Sequence, residues 1–233
     1  MRTKTLLLAA VLGVAMVATS LAQAIYSVNV VGYVNKTFTN NASFFIVANP
    51  LNSGNNTVST VIPTAPDATT IYRFTSTGGF GQPISFVEGA GWFTPTGPPT
   101  DVLAPGEAFF LFIPAGTTLP VTMTFVGEVP QGNLTNPVSI PAGKFSMIAS
   151  QVPVKAGLGQ TIMGFPAADA DTVYFFDGAA QAYKAPYSFV EGAGWFQGAT
   201  AVEPSPEVGE GFFLFADASA PATRTWTRTF NVQ

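Results

Sequence analysis

The eight residues FVEGAGWF occur twice in this chain, at residues 86–93 and again at residues 189–196. An identical octamer that recurs about a hundred residues later indicates a duplicated unit. Other matched segments follow in the same order in both halves: APDATTIYRF with AADADTVYFF, PGEAFFLF with VGEGFFLF, and MTFVGEV with RTFNVQ. Because the matches are colinear, any site built from repeated residues is expected in two copies.

The repeat divides the chain into two units of domain size. Residues 25–129 form copy 1 and residues 130–233 form copy 2, with the boundary in the turn-rich stretch PQGNLT at residues 130–135. Each copy is about 100 residues long, which is an ordinary length for one domain. We therefore predict two tandem, homologous domains.

The first 24 residues have the pattern of a secretory signal peptide. Arg2 and Lys4 precede an apolar run over residues 6–17, and Ala22-Gln23-Ala24 is an A-x-A cleavage site. The alternative interpretation is an uncleaved membrane anchor, for which the apolar run is short. The mature chain is expected to begin at Ile25, to carry no transmembrane anchor, and to be secreted or displayed at the cell surface.

Composition excludes several classes of function. The chain contains no cysteine and no histidine, which rules out disulfides, thiol nucleophiles, Ser-His-Asp or Cys-His catalysis, and histidine-ligated metals. Its net charge is −4, and it falls to about −6 when Arg2 and Lys4 leave with the signal peptide. An acidic chain in which charged residues make up only 9% is not expected to bind nucleic acid.

The secondary-structure pattern predicts an all-β protein. Residues 27–38 alternate apolar and polar side chains, and short runs of aromatic and β-branched residues lie between Gly, Pro and Asn in both copies. This spacing is typical of a β-sandwich-like domain or a small barrel in each copy. One short helical turn is also predicted in each copy, at residues 57–62 behind Asn56 and at residues 158–165.

The mature start YSVNVVGYVN, the repeated Gly-Trp turn and the repeated GE-x-FFLF segment resemble a group of secreted bacterial two-repeat β proteins of the verrucomicrobial type. The resemblance covers the mature chain in both copies. It implies an exported bacterial β protein, and it implies no activity, cofactor or catalytic residue.

Carboxylates are the remaining candidates for catalysis. The repeat offers four of them, which are Glu88, Glu107, Glu191 and Glu210. A pair of carboxyl groups beside Trp92 or Trp195 would have the ingredients of a glycosidase. The structural alternative is that turn N–H groups, or Arg73 and Arg224, hold these carboxylates and lower their pKa values. We favour the structural alternative and predict that the protein is not an enzyme and needs no cofactor.

A calcium site is a second candidate. Asp169, Asp171 and Asp177 could supply hard oxygen ligands in copy 2, whereas copy 1 keeps only Asp67 of the three. The alternative is that these aspartates form Asx-turns with their own backbone. We expect no metal beyond this one candidate.

The aromatic residues have two interpretations. Trp92, Phe93, Trp195 and Phe196 lie in Gly-flanked turns, where exposed rings could stack on sugars and where buried rings would complete the core. The FFLF runs at residues 109–112 and 212–215 place large apolar side chains on both faces of a strand. One face is expected to pack in the core, and the other against the helical turn, the sister copy or another molecule.

These observations favour a non-catalytic structural, surface-layer or interaction protein of the bacterial envelope or matrix. Its expected partners are further copies of itself or components of the cell surface or matrix. The alternative is a carbohydrate-binding protein that stacks a polysaccharide on the Gly-Trp turns, and the third hypothesis is a glycoside-active enzyme. Buried indole rings would count against the sugar platform.

Overall fold

A computed structural model describes residues 30–232. The predicted signal peptide and its cleavage site lie outside the described residues. The described chain is almost entirely strand and turn with one short helix, so the prediction of an all-β, sandwich-like fold is confirmed. Over residues 30–232 no helix has both the length and the apolar character needed to cross a membrane.

The elements of copy 1 follow the short apolar runs of its sequence. They are β1 (Val31–Phe38), β2 (Ser43–Ala48), α1 (Val58–Val61), β3 (Thr70–Thr75), β4 (Gly79–Phe80), β5 (Ile84–Val87), β6 (Gly91–Phe93), β7 (Ala108–Ile113) and β8 (Val121–Glu128).

The elements of copy 2 repeat this series. They are β9 (Gly132–Pro141), β10 (Phe145–Ala149), β11 (Thr172–Tyr174), β12 (Phe176–Asp177), β13 (Ala182–Tyr183), β14 (Tyr187–Val190), β15 (Gly194–Gln197), β16 (Thr200–Ala201), β17 (Gly211–Phe215) and β18 (Thr223–Phe230). The repeat boundary at residues 129/130 falls in the short connection between β8 and β9.

Both copies have the same strand order. The main sheet of copy 1 is β2-β7-β3-β5-β6, and that of copy 2 is β10-β17-β11-β14-β15 with β16 added at its edge. An antiparallel ribbon, β1–β8 in copy 1 and β9–β18 in copy 2, forms the second layer. All of these pairings are antiparallel, and each copy is an open, sandwich-like pair of sheets.

The two faces of β7 have different partners. Phe109, Leu111 and Ile113 are fully buried in the core of copy 1. Phe110 lies on the opposite face, and its ring is 5.3 Å from that of Phe176 in copy 2. Burying one such apolar side chain stabilises a fold by about 1.5–3 kcal/mol, so both faces contribute.

The predicted helical turn forms only in copy 1. There α1 follows Thr57, which makes no side-chain capping bond, while Asn56 takes φ 50° and its side-chain Oδ1 accepts a hydrogen bond from the N–H of Ser53. The matching stretch of copy 2, residues 157–164, forms hydrogen-bonded turns instead. Glycines at 157, 159 and 164 lower its helix propensity.

The copies are joined by reciprocal main-chain hydrogen bonds. The N–H of Ala48 in copy 1 donates to the carbonyl of Gly209 in copy 2, at 3.0 Å. The N–H of Ala149 in copy 2 donates to the carbonyl of Gly106 in copy 1, at 2.9 Å. A contact repeated with the partners exchanged is the mark of an approximate twofold relation.

Side chains from the ribbons repeat this reciprocity. Lys36 Nζ on β1 donates to the carbonyl of Val208, at 3.3 Å. Asn136 Nδ2 on β9 donates to the carbonyl of Gly106, at 3.2 Å. The ribbon of each copy therefore reaches the turn before the central strand of the other copy.

Candidate functional site

The two FVEGAGWF segments have the same conformation. Each forms a strand, a tight turn and a second strand, and both glycines of Gly-Ala-Gly have positive φ: 78° and 97° in copy 1, 76° and 92° in copy 2. Only glycine adopts this backbone without strain. An aspartate holds each turn, since Asp67 accepts a hydrogen bond from the N–H of Glu88 and Asp169 from that of Glu191, both at 2.9 Å.

The indole rings of these turns belong to the core. Trp92 is 3% exposed and Trp195 is 5% exposed. Trp92 Nε1 donates to the carbonyl of Ile62 at 2.7 Å, whereas Trp195 Nε1 has no hydrogen-bond partner in residues 30–232. Buried rings offer no face to a sugar, and the half-buried Phe93 and Phe196 lie on the opposite face of the same strands.

In copy 2 a different tryptophan takes over the hydrogen bond that Trp92 makes in copy 1. Trp226 of β18 is 1% exposed, and its Nε1 donates to the carbonyl of Met163 at 2.5 Å. Met163 lies in the copy 2 turn that corresponds to the helical turn of copy 1.

The four repeated glutamates occupy three different environments. The side chains of Glu88 and Glu191 are exposed beside the Asp67 and Asp169 carboxylates that hold the turns. Glu210 Oε2 accepts a hydrogen bond from the N–H of Glu207 at 2.8 Å and closes a turn. None of these three glutamates forms an ion pair with an arginine of residues 30–232.

Glu107 differs from the other three. Its side chain is only 13% exposed, and its Oε1 accepts hydrogen bonds from Arg73 Nη2 at 2.6 Å and Nε at 2.8 Å. Burial raises the pKa of Glu107, because removing the carboxylate from water outweighs the opposing charge and hydrogen bonds of Arg73. The expectation that turn N–H groups lower the pKa of all four glutamates is therefore wrong for Glu107.

The three calcium-candidate aspartates have separate structural partners. Asp171 is fully buried and pairs with Arg224, whose Nη1 lies 2.6 Å from its Oδ2. Asp169 holds the copy 2 turn, and Asp177 accepts two backbone N–H bonds, from residues 180 and 179, which lower its pKa. Within residues 30–232 no group of three or more His, Cys, Asp or Glu side chains could hold a metal ion.

Another candidate site is an aromatic surface where the two copies meet, which we call the aromatic seam. Groove 1 has a volume of about 530 Å³ and is lined by Phe44, Tyr72, Phe80, Phe110, Phe176 and Tyr183. Groove 2 has a volume of about 340 Å³ and is lined by Phe74, Phe145, Tyr174, Tyr183 and Phe213. Each groove draws side chains from both copies.

The two grooves are equivalent by the repeat. The matched strand registers place Phe145, Tyr174, Phe213, Tyr183 and Phe74 of groove 2 where groove 1 has Phe44, Tyr72, Phe110, Phe80 and Phe176. The ring contacts repeat as well, since the Phe44–Tyr72 and Phe145–Tyr174 centroids are both 6.0 Å apart. The expectation of paired sites thus applies to the seam.

The rims of both grooves are exposed to solvent. Phe80 is 53% exposed, Tyr183 is 49% exposed and Phe145 is 43% exposed. Partial burial of Tyr183 raises the pKa of its hydroxyl. The FFLF runs indicate that a second strand face is covered, but nothing local in the sequence singles out the short strands β4 and β13 that carry Phe80 and Tyr183.

A smaller polar cleft in copy 1 also includes Phe80 in its lining. It has a volume of about 260 Å³, and its side chains are those of Arg73, Thr75, Phe80, Gln82, Thr94 and Asp101. Arg73 Nη1 contacts Asp101 Oδ1 at 2.6 Å while its other nitrogens hold Glu107.

Comparison with models of known protein families, with curated proteins and with solved structures finds no match for this chain.

Proposed function

We propose that this chain is an exported, non-catalytic interaction protein of the bacterial envelope or matrix that self-associates through the aromatic seam. The observation that carries the proposal is the pair of equivalent aromatic grooves, open to solvent, at the junction of the copies. Single exposed apolar residues are ordinary, but a contiguous cluster of exposed rings is typical of an interaction site.

The chemistry of the seam favours a second copy of this chain as the partner. Phe80 packs against Phe110 and Phe213 with centroid separations of 5.8 and 6.4 Å, so the exposed rings continue the interface that already joins the two copies. Aromatic rims such as those of Phe145 and Tyr183 match the aromatic lining of a neighbouring groove. With charged residues at only 9% of the chain, few like charges oppose such contacts.

Two features support a non-catalytic role. Two of the candidate glutamates already have structural partners: Glu210 accepts a hydrogen bond from a turn N–H, and Glu107 pairs with Arg73. The groove walls are built almost wholly of aromatic carbon, and the titratable groups that line them are tyrosine hydroxyls. Burial raises the pKa of the Tyr183 hydroxyl, which moves it further from the neutral range that favours general acid–base chemistry. Support for export comes from the signal-peptide pattern of residues 1–24.

The test is the assembly state of residues 25–233, by gel filtration over a concentration series and by negative-stain microscopy. The seam variant combines Phe80→Ser, Phe145→Ser and Tyr183→Ser. Tyr33→Ser is the matched control, because Tyr33 is 72% exposed but lies on the β1–β8 ribbon.

We expect dimers or larger assemblies for the wild type and for the Tyr33 control, and monomers for the seam variant with its circular dichroism unchanged. A wild type that stays monomeric at the highest concentration, or a seam variant that assembles normally, would contradict the proposal.

A further inference from the structure

Phe80 borders two surfaces of different chemistry. It lines groove 1, where all the neighbours are aromatic. It also lines the polar cleft, where Gln82, Arg73 and Asp101 supply an amide, a guanidinium and a carboxylate. The cleft therefore combines one exposed apolar ring with several groups that form hydrogen bonds.

Two charged side chains of the cleft, Arg73 and Asp101, are held in place by ion pairs. Arg73 is fixed from behind by Glu107, and it fixes Asp101 in turn through the 2.6 Å contact with Oδ1. The side chains of Arg73 and Asp101 remain 30% and 32% exposed, so a ligand can reach them. Within residues 30–232, Asp101 Oδ2 and the Gln82 amide have no hydrogen-bond partner.

Copy 2 shows that the fold does not need this arginine. The N–H of Gly81 donates to the carbonyl of Arg73 at 2.9 Å, and in copy 2 the N–H of Lys184 donates to the carbonyl of Phe175 at the same distance. Phe175 therefore occupies the position of Arg73, and it is 5% exposed in the copy 2 core. A packed phenyl ring stabilises such a position at least as well as a partly buried ion triad.

Asp101 and Gln82 of the cleft are also absent from copy 2, although Thr75 and Thr94 are replaced there by the polar Asp177 and Gln197. The carbonyl of Asp101 accepts from the N–H of Val58, and in copy 2 the carbonyl of Pro204 accepts from the N–H of Leu158. Pro204 thus replaces Asp101, and Ala185, which follows Lys184, replaces the cleft's glutamine. Three polar side chains appear together in one copy, where they face solvent beside an exposed ring, and this indicates a ligand rather than a folding requirement.

The charges of the cleft select a neutral ligand. Arg73 carries one positive charge against two negative charges on Asp101 and Glu107, so an anion would be repelled. A sugar ring has an apolar C–H face that stacks on an aromatic ring and hydroxyl groups that donate to carboxylates. We infer that the polar cleft binds one unit of a neutral saccharide, which stacks on Phe80 and hydrogen-bonds to Asp101 and Gln82.

This inference rests on the proposed non-catalytic role, because the bound saccharide is held and not cleaved. It can be tested apart from self-association, since Asp101 and Gln82 lie outside both grooves, whereas Phe80 borders both groove 1 and the cleft. It also differs from a sugar platform on the Gly-Trp turns, because the buried Trp92 takes no part.

The experiment is isothermal titration calorimetry of residues 25–233 with neutral tetrasaccharides built from glucose, xylose, mannose, galactose and N-acetylglucosamine, and with tetragalacturonate as the charged comparison. Asp101→Asn and Gln82→Ala are the cleft variants. Glu88→Gln is the matched control, because Glu88 is an exposed acidic residue of copy 1 outside the cleft. Gln82→Ala should fold normally, since Gln82 is exposed.

We expect at least one neutral tetrasaccharide to bind at one site per chain. Asp101→Asn should weaken binding by about ten-fold or more, the loss of a hydrogen bond to a charged group. Gln82→Ala should weaken it measurably, and Glu88→Gln should leave it unchanged. No binding of any neutral probe, binding of tetragalacturonate alone, or equal binding by both cleft variants and wild type would overturn the inference.

The two proposals can fail separately. Chromatography of the titrated saccharide reports any cleavage, which would refute the non-catalytic role while leaving the binding site in place. Gel filtration of the cleft variants reports self-association, which they should retain.

Discussion

Phe110 of β7 and Phe213 of β17 occupy the same position in the two copies, and their ring centroids lie 6.2 Å apart. Phe110 also contacts Phe176 of copy 2 at 5.3 Å, and Phe213 contacts Phe74 of copy 1 at 5.0 Å. The duplicated chain therefore packs like a homodimer whose subunits have been joined. In each copy, one face of the FFLF strand packs in its own core and the other face packs against the sister copy.

A close approach of the copies at Gly211 gives the first prediction. A Cβ added at Gly211 would lie 2.3 Å from the Cβ of Ala108 and 2.7 Å from Ile46 Cγ2. Gly211→Ala should therefore lower the free energy of unfolding by about 1–3 kcal/mol through overpacking. The measurement is urea denaturation followed by tryptophan fluorescence.

The approximate twofold relation supplies a matched control for that variant. Ala108 and Gly211 are equivalent positions on β7 and β17, so Ala108→Gly combined with Gly211→Ala exchanges the two residues. The double variant should recover most of the lost stability. A single Gly211→Ala variant as stable as the wild type would show that the copies are not held this closely.

The second prediction distinguishes the two repeated tryptophans. Trp92→Phe removes the donor to the carbonyl of Ile62 and leaves that buried acceptor unpaired, whereas Trp195→Phe removes an N–H that has no partner in the described chain. Trp92→Phe should therefore cost about 1–3 kcal/mol more than Trp195→Phe. Trp195→Ala should still cost about 3–5 kcal/mol, because the ring is core.

Thermal and urea denaturation of the three variants check this ordering. Equal costs for Trp92→Phe and Trp195→Phe would contradict it. A Trp195→Ala variant that melts within a degree or two of the wild type would contradict the assignment of this indole to the core.

The features predictable from the sequence are those that local pattern controls. Period-2 alternation and the recurring octamer predict the strands, and the FFLF runs predict that both strand faces are covered. Each half of the chain then reproduces the same sheet order, β2-β7-β3-β5-β6 in copy 1. The strands and their covered faces depend on residues within a few positions of one another, whereas the sheet order pairs strands far apart in sequence, such as β2 and β7.

The candidate sites could not be predicted in the same way because they are non-local. Arg73 meets Asp101 and Glu107 across 28 and 34 residues of sequence. Asp169 and Asp171 are neighbours in sequence, yet one holds an exposed turn and the other is buried against Arg224. Which of these two nearby carboxylates is buried depends on the tertiary structure and not on local sequence.

The third prediction concerns a buried arginine of β18. Arg228 is 7% exposed, its Nε has no hydrogen-bond partner, and no carboxylate in residues 30–232 forms an ion pair with it. Burial lowers the pKa of Arg228 to about 10. This shift corresponds to a free-energy cost of roughly 3 kcal/mol for burying the charged guanidinium. Arg228→Met should therefore raise the free energy of unfolding by about 1–3 kcal/mol at neutral pH.

The same substitution four residues away should have the opposite effect. Arg224 pairs with the fully buried Asp171, so Arg224→Met leaves a buried carboxylate without its counter-charge. That variant should lose about 3–5 kcal/mol. Urea denaturation of both variants at pH 7 tests these opposite effects on the free energy of unfolding. A destabilised Arg228→Met variant would show that Ser150 Oγ and the Trp226 ring compensate the cost of burying the Arg228 charge.

The last prediction is a pH dependence centred on Glu107. Burial raises its folded-state pKa above the ordinary value of 4.5, in spite of the opposing contact with Arg73. The folded state therefore binds this proton more readily than the unfolded state does. The stability that this proton contributes is complete below pH 4.5 and is lost as the pH rises through the folded-state pKa.

Glu107→Gln removes the titrating carboxyl group. The free energy of unfolding of the wild type minus that of the variant therefore gives the pH-dependent contribution of Glu107. This difference should increase as the pH is lowered from 7 towards 4.5, and it should level off below that value. Urea denaturation of both proteins at pH steps between 4 and 8 measures it. A difference that instead decreases on acidification would mean that the charge of Arg73 outweighs burial, and that the pKa of Glu107 is lowered.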